Sequence, residues 1–234
     1  PTGLVEISTW RWALFGSALV SLAFAITSWL LLPTQRNFRP KSIHLKTESR
    51  ALFGHWANRD LALLFLTAFL SMGTFVSMYN FLTFRLIDDF GLAPSLAGLA
   101  FLFYLTGIWS SARAGALVAR IGHGKTLCGS AALFTVGIAL CAGNLPLTLL
   151  GMIAFTVGFF AVHSTASGWV GQIATHDRAE ASSMYVFCYY FGSSVVGACA
   201  GLLFDALSWP LFIAFFTAVA LALTALTWTK IKTD

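Results

Sequence analysis

A charge at the centre of a bilayer-length apolar run costs about 2.5–3.5 kcal/mol, so ionisable groups inside such runs are the first candidates for chemistry. Two stand in this chain, Arg113 and His163. His163 opens the stretch HSTAS, with Ser164 and Thr165 beside it and Ser167 one helical turn on. An imidazole, with its ordinary pKa near 6.5, suits a proton relay. A neutral histidine hydrogen-bonded across helices has the same sequence, so both readings stand. Arg113 precedes Arg120 by seven residues, about 10 Å of helix. It either snorkels and braces its neighbours or meets a substrate or gate.

Polar seams accompany these two. Tyr185, Tyr189 and Ser193 recur every four residues, and Thr67, Ser71, Thr74 and Met78 recur at helical spacing, so each set falls on one helix face and suits a cavity wall. Ser193, Gly197 and Gly201 form a small-xxx-small series, which favours close helix packing. No Asp or Glu lies within an apolar run except Asp205 at a rim. Coupling carboxylates, if used, are therefore expected outside this chain. HExxH, GxSxG and paired intramembrane carboxylates are missing, so the chain does not read as an enzyme. Every lysine falls outside the runs, which excludes a retinal Schiff base. Cys128, Cys141, Cys188 and Cys199 lie in apolar runs without a CxxC pair. They indicate neither a zinc site nor a disulfide framework, and no cofactor or metal is expected.

The elements that position these residues follow from composition. Of 234 residues, 58% are hydrophobic and 10% charged, against roughly 25% charged in a soluble domain. Seven apolar runs are each long enough for a core of about 30 Å: Trp10 to Leu32, Leu61 to Phe84, Pro94 to Val118, Thr126 to Ala142, Leu147 to Gly171, Ala181 to Leu203 and Trp209 to Trp228. Runs of this length cross as helices, which satisfy their own backbone hydrogen bonds. The fold class is thus all-α, a polytopic membrane bundle of seven transmembrane helices. Runs four and seven carry few polar residues and are expected on the outside. Pro33 to Asp60 is the one long polar connection, in which Ala51 to Trp56 reads either as a short amphipathic segment or as plain loop.

The net charge of +5 could suggest a nucleic-acid partner, but the placement of the charges argues for a lipid bilayer. With loops alternating sides, eleven of the fourteen Lys and Arg collect on one face. That asymmetry puts the beginning of the chain outside and the C-terminus in the cytoplasm. Pro1 is neither a usual start nor part of a signal peptide, so the chain reads as a segment of a longer protein.

Between runs three and four lies GALVARIGHGKTL, Gly115 to Leu127. Gly115, Arg120, Gly122 and Lys125 resemble the cytoplasmic gating-loop motif of the major facilitator superfamily, with Ala119 where an acidic residue is common. Tyr79 to Leu86, YNFLTFRL, and Ala161 to Gly171, AVHSTASGWVG, resemble that family's bacterial proton-driven efflux branch, described as arabinose-efflux-like or drug-efflux-like. The resemblance implies helices 6–12 of a twelve-helix transporter. Residues 1–32 would be the last helix of the N-terminal half, 33–60 the basic cytoplasmic linker, and 61–234 the C-terminal six-helix bundle. It further implies a multi-pass protein of the bacterial inner membrane. Its partners would be a small-molecule substrate, protons and the N-terminal half of the same transporter, with efflux by antiport as the activity. The substrate and proton pathway would draw on His163, Arg113, Ser167, Tyr189, Tyr185, Ser71 and Thr74. The alternative is a half-size subunit without transport of its own.

Overall fold

The computed structural model describes residues 10–32 and 45–230. Among these the secondary structure is helical, and each apolar run except the third forms a single helix. α1 is Trp10–Leu31, with Trp12, Phe15, Phe24 and Trp29 exposed. The first part of the polar connection lies outside the described residues. The remainder forms α2, Leu45–Gly54, and a 3-10 turn, His55–Ala57. The segment Ala51 to Trp56 therefore ends a helix and enters a turn, leaving Phe53 and Trp56 exposed.

α3 spans Arg59–Asp88 and is capped by Asn58, whose side chain accepts from the amides of Asp60 at 2.9 Å and Leu61 at 3.3 Å. It outruns the expected end at Phe84 because Arg85 is held inside the helix by Asp89, four residues on, at 2.7 Å. The third run is broken: α4, Pro94–Gly98, leads through a 3-10 stretch, Leu99–Phe103, into α5, Tyr104–Ile121. α6 is His123–Leu140, α7 Leu145–Ile173, α8 Arg178–Ala206 and α9 Trp209–Trp228. Proline starts α7 and α9 in their first turns, where its missing N–H costs nothing.

Among the described residues six helices are long and apolar enough to cross a membrane, one of them the composite Pro94–Ile121. α6 is not among them. It has 18 residues and opens on His123, Lys125 and Thr126, which dilute its apolar stretch. The expected count of seven crossings therefore rests on six helices that meet both criteria and one that falls short.

α3 and α7 form the interior. α7 packs against α6, α5 and α3, while α3 also packs against α8; α9 lies on α6 and α3. α5 and α8 share no packed interface, so they stand as two walls with α3 and α7 between them. Glycines bring the interior helices to backbone distance. A Cβ on Gly158 of α7 would lie 2.5 Å from the Phe134 amide nitrogen of α6, and one on Gly192 of α8 would lie 2.1 Å from the Phe69 carbonyl oxygen of α3. The expected packing series Ser193, Gly197 and Gly201 does not do this: nothing lies within 4 Å of a Cβ on Gly197 or Gly201. Gly192, one residue before that series, makes the contact.

Each end of the bundle is clasped. At one, Arg85 donates to the Gly143 carbonyl at 3.2 Å and lies 4.8 Å from the ring of Phe90 and 5.0 Å from that of Trp209, while Trp209 donates to the Cys141 carbonyl at 2.9 Å. At the other, buried His55 holds the Asp177 carbonyl at 3.1 Å and stacks on His176, and Lys230 pairs with Asp60. Asp177 takes the left-handed conformation, φ 44°, which Asp tolerates better than most residues.

Candidate functional site

The spacing that puts Tyr185 and Tyr189 on one face of α8 turns both toward His163 of α7. His163 Nδ1 lies 3.1 Å from the Tyr185 hydroxyl, and the Tyr189 ring sits 4.7 Å from the imidazole centre. His163 is half-buried and Tyr185 fully buried. The Tyr185 oxygen also lies 3.4 Å from the His163 carbonyl. That second contact gives the pair two proton arrangements on one set of heavy atoms. With Nδ1 bare, Tyr185 donates to it and the imidazole carries its proton on Nε2. With Nδ1 protonated, the ring donates to Tyr185, whose own proton turns to the His163 carbonyl. A neutral and a charged histidine are thus both hydrogen-bonded without movement of either helix.

A pile of aromatic rings carries this pair. Phe75 of α3 stacks on Phe159 of α7 at 3.9 Å and meets Tyr104 of α5 edge-on at 5.5 Å. Phe159 lies one turn before His163 and stacks toward it at 6.2 Å. Tyr79 sits in the same pile, 2.7 Å from Thr156. Thr156 gives its single proton to the Met152 carbonyl at 2.6 Å, so Tyr79 is the donor and Thr156 the acceptor. No sequence spacing joins Phe75, Tyr104 and Phe159; only the packing of three helices brings them together.

The remaining expected residues stand apart from this cluster. Ser167 donates within α7, to the Ser164 carbonyl at 3.3 Å. Ser71 and Thr74 are buried on α3; Ser71 contacts the Ala68 carbonyl at 3.4 Å, and the Thr74 hydroxyl has no partner among the described residues. Arg113 is exposed over the Trp109 ring, 5.3 Å from its centre, in a different groove shared with Arg120 and Lys125.

The motif between runs three and four is much tighter than its sequence suggests. α5 continues to Ile121 and α6 begins at His123, leaving a one-residue elbow at Gly122. Gly122 has φ 86°, a region open to glycine, and its amide closes α5 on the Val118 carbonyl at 2.9 Å. Gly115 belongs to no turn. It lies inside α5 with nothing within 4 Å of where a Cβ would be, so its expected place in the loop is corrected. Arg120 was read as a loop residue because it is charged, but an exposed last helical turn accommodates arginine equally well.

Long apolar helices stacked around an aromatic core, with polar groups turned inward, define a multi-pass membrane protein. The comparisons with known proteins then fix its family. Residues 63–234 match the Major Facilitator Superfamily model. The chain is 38% identical over 226 residues to the "Inner membrane transport protein YnfM" of Escherichia coli, covering 92% of this chain and 53% of that protein. It is 35% identical over 208 residues to the "Uncharacterized MFS-type transporter YybF" of Bacillus subtilis, covering 88% of this chain and 52% of that one. The fold is similar to that in the crystal structure of the POT family transporter PepTSo, with TM-score 0.66 and 18% identity over 74% of this chain and 37% of that one. The chain belongs to the major facilitator superfamily, a family of membrane transport proteins and not of enzymes. It spans about half the length of the curated relatives it matches.

Proposed function

We propose that this chain supplies the C-terminal half of a transporter that moves a small organic solute by alternating access, exporting it against proton entry. In this reading residues 1–32 hold the last helix of the N-terminal half, 33–60 the cytoplasmic linker and 61–234 the six-helix second half. α3, α5, α7 and α8 line the path. The beginning of the chain lies outside and its end in the cytoplasm of a bacterium, with the protein in the inner membrane. The half-length match to transporter relatives supports the division. Large apolar side chains left open on the two walls, among them Leu105 and Ile108 on α5 and Phe187 and Phe191 on α8, support a second bundle facing them.

The observation that carries proton coupling is the His163–Tyr185 pair at 3.1 Å, which accommodates both protonation states at the floor between those walls. The test uses the natural-length protein in inside-out membrane vesicles with an acidified interior and a pH-sensitive dye. An exported solute added outside enters in exchange for protons and raises the internal pH. Across a panel of small organic solutes, His163→Gln should lower that proton release roughly a hundredfold, the scale of losing a positioned proton carrier. If His163→Gln releases protons at the wild-type rate with a transported solute, His163 is not the carrier.

A further inference from the structure

A groove of about 410 Å³ opens between α5 and α6, floored by Val157 and Ala161 of α7. Arg113, Arg120 and Lys125 line it, and no Asp or Glu does. All three cations are exposed, and none is in an ion pair among the described residues. Their spacing matters: Arg113 lies about 10 Å deeper along α5 than Arg120. A cation at that depth on a membrane-spanning helix is far more costly than one at the rim unless an anion or water reaches it. Between the cations the wall is apolar, built by Leu117, Ile121 and Leu133. The groove thus offers positive charge at its mouth and part-way in, with hydrocarbon contact alongside.

That combination fits one class of ligand. A soluble anion would use the cations and leave the apolar wall idle, and a zwitterionic lipid would bring a cation of its own to Arg120 and Lys125. We propose that the groove holds an anionic phospholipid, its phosphate between Lys125 and Arg120, Arg113 reaching up toward the glycerol backbone, and an acyl chain against Leu117 and Leu133. The one-residue elbow at Gly122 keeps Arg120 and Lys125 on either side of the mouth. This site is separate from the His163 pair and does not depend on what is transported.

Each cation near a membrane surface strengthens binding to anionic lipid roughly fivefold, so three together give a preference on the order of a hundredfold. The test is native mass spectrometry of the natural-length protein, released from micelles supplemented with phosphatidylglycerol, cardiolipin or phosphatidylcholine. The wild type should retain phosphatidylglycerol and cardiolipin about a hundredfold better than phosphatidylcholine. The variant R113Q/R120Q/K125Q should fall to the phosphatidylcholine level, while R36Q/R39Q/K41Q, which removes equal charge from the linker, should match the wild type. If the groove variant does not purify as a single species, R113Q and K125Q alone should each lower retention about fivefold. Undiminished retention in the groove variants overturns the proposal, and so does an equal loss in the linker variant, which would mean bulk attraction. Displacement of the lipid by inorganic phosphate would make this a soluble-anion site and overturn it as well.

Discussion

Among the six helices long and apolar enough to cross a membrane, α3 and α7 are the most enclosed, with 61% and 44% of their most apolar stretches buried; the composite of α4 and α5 has only 22% buried and α8 17%. The difference lies in what meets each backbone. α7 carries Gly151 and Gly158 against α6, and α3 carries Gly73 against α8, at distances no side chain could share. α5 and α8 instead leave Leu105 and Ile108, and Val186, Phe187 and Leu202, exposed. Apolar character therefore marks a helix as membrane-bound, while the number of sides met by neighbours decides how far it is enclosed: α5 and α8 each bring a glycine, Gly107 and Gly192, to an interior helix and stay open on the other side. The open walls are the surfaces left for lipid or for a second bundle.

The largest test of this contrast is Gly158→Leu. Its Cβ would meet the Phe134 nitrogen and Cα at 2.5 and 2.7 Å, atoms that cannot swing aside. Overpacking of a tight core costs about 1–3 kcal/mol or more, so the variant should lose its folded peak in size-exclusion chromatography. Gly168→Leu, on the same helix with nothing within 4 Å, should keep it. Next comes the clasp at Arg85. Arg85→Ala leaves the Gly143 carbonyl only the longer bond from the Thr148 hydroxyl, at 3.4 Å, and opens the stack with Phe90 and Trp209, a loss of about 1–3 kcal/mol in thermal unfolding. Arg85→Lys should recover less than half of it, because an ammonium cannot stack between two rings and hold Asp89 at once.

Smaller effects belong to single bonds and open faces. Tyr79→Phe removes the one donor to Thr156 and should cost about 0.6 kcal/mol, the average for an interhelical hydrogen bond in a membrane protein. Leu202→Ala, on the open face of α8 with 75% of its surface exposed, should shift stability by less than about 0.5 kcal/mol. A larger loss from Leu202→Ala in the natural-length protein would mean that a second bundle covers this wall.

Much of the fold was legible because its signals are local. Apolar length gave the helices, while the caps Asn58 and Asn144, just before the expected starts at Leu61 and Leu147, went unread. Boundaries were misread where a charge was taken for a loop: Arg85 and Arg120 both sit in helices, held by Asp89 in one case and exposed on a last turn in the other. The packing glycine on α8 was misread by one residue, since Ser193, Gly197 and Gly201 have the periodicity but Gly192 faces the neighbour. Periodicity says which residues share a face and not where that face points. At the site, His163, Tyr185 and Tyr189 could be named one by one from polarity within apolar runs. Their meeting could not, nor could the stack of Phe75 on Phe159, because contacts between distant helices leave no trace in spacing.

The most direct test of the His163–Tyr185 relay is the pH profile of solute-driven proton release in three forms of the natural-length protein. His163→Gln should flatten the profile. Tyr185→Phe keeps a protonatable ring but removes the oxygen that accepts from it. Hydrogen bonds to a charged group are about twice as strong as neutral ones, so losing that oxygen disfavours the protonated state most. The Tyr185→Phe profile should move to lower pH with its maximum largely retained. A profile identical to the wild type in both variants would contradict the relay.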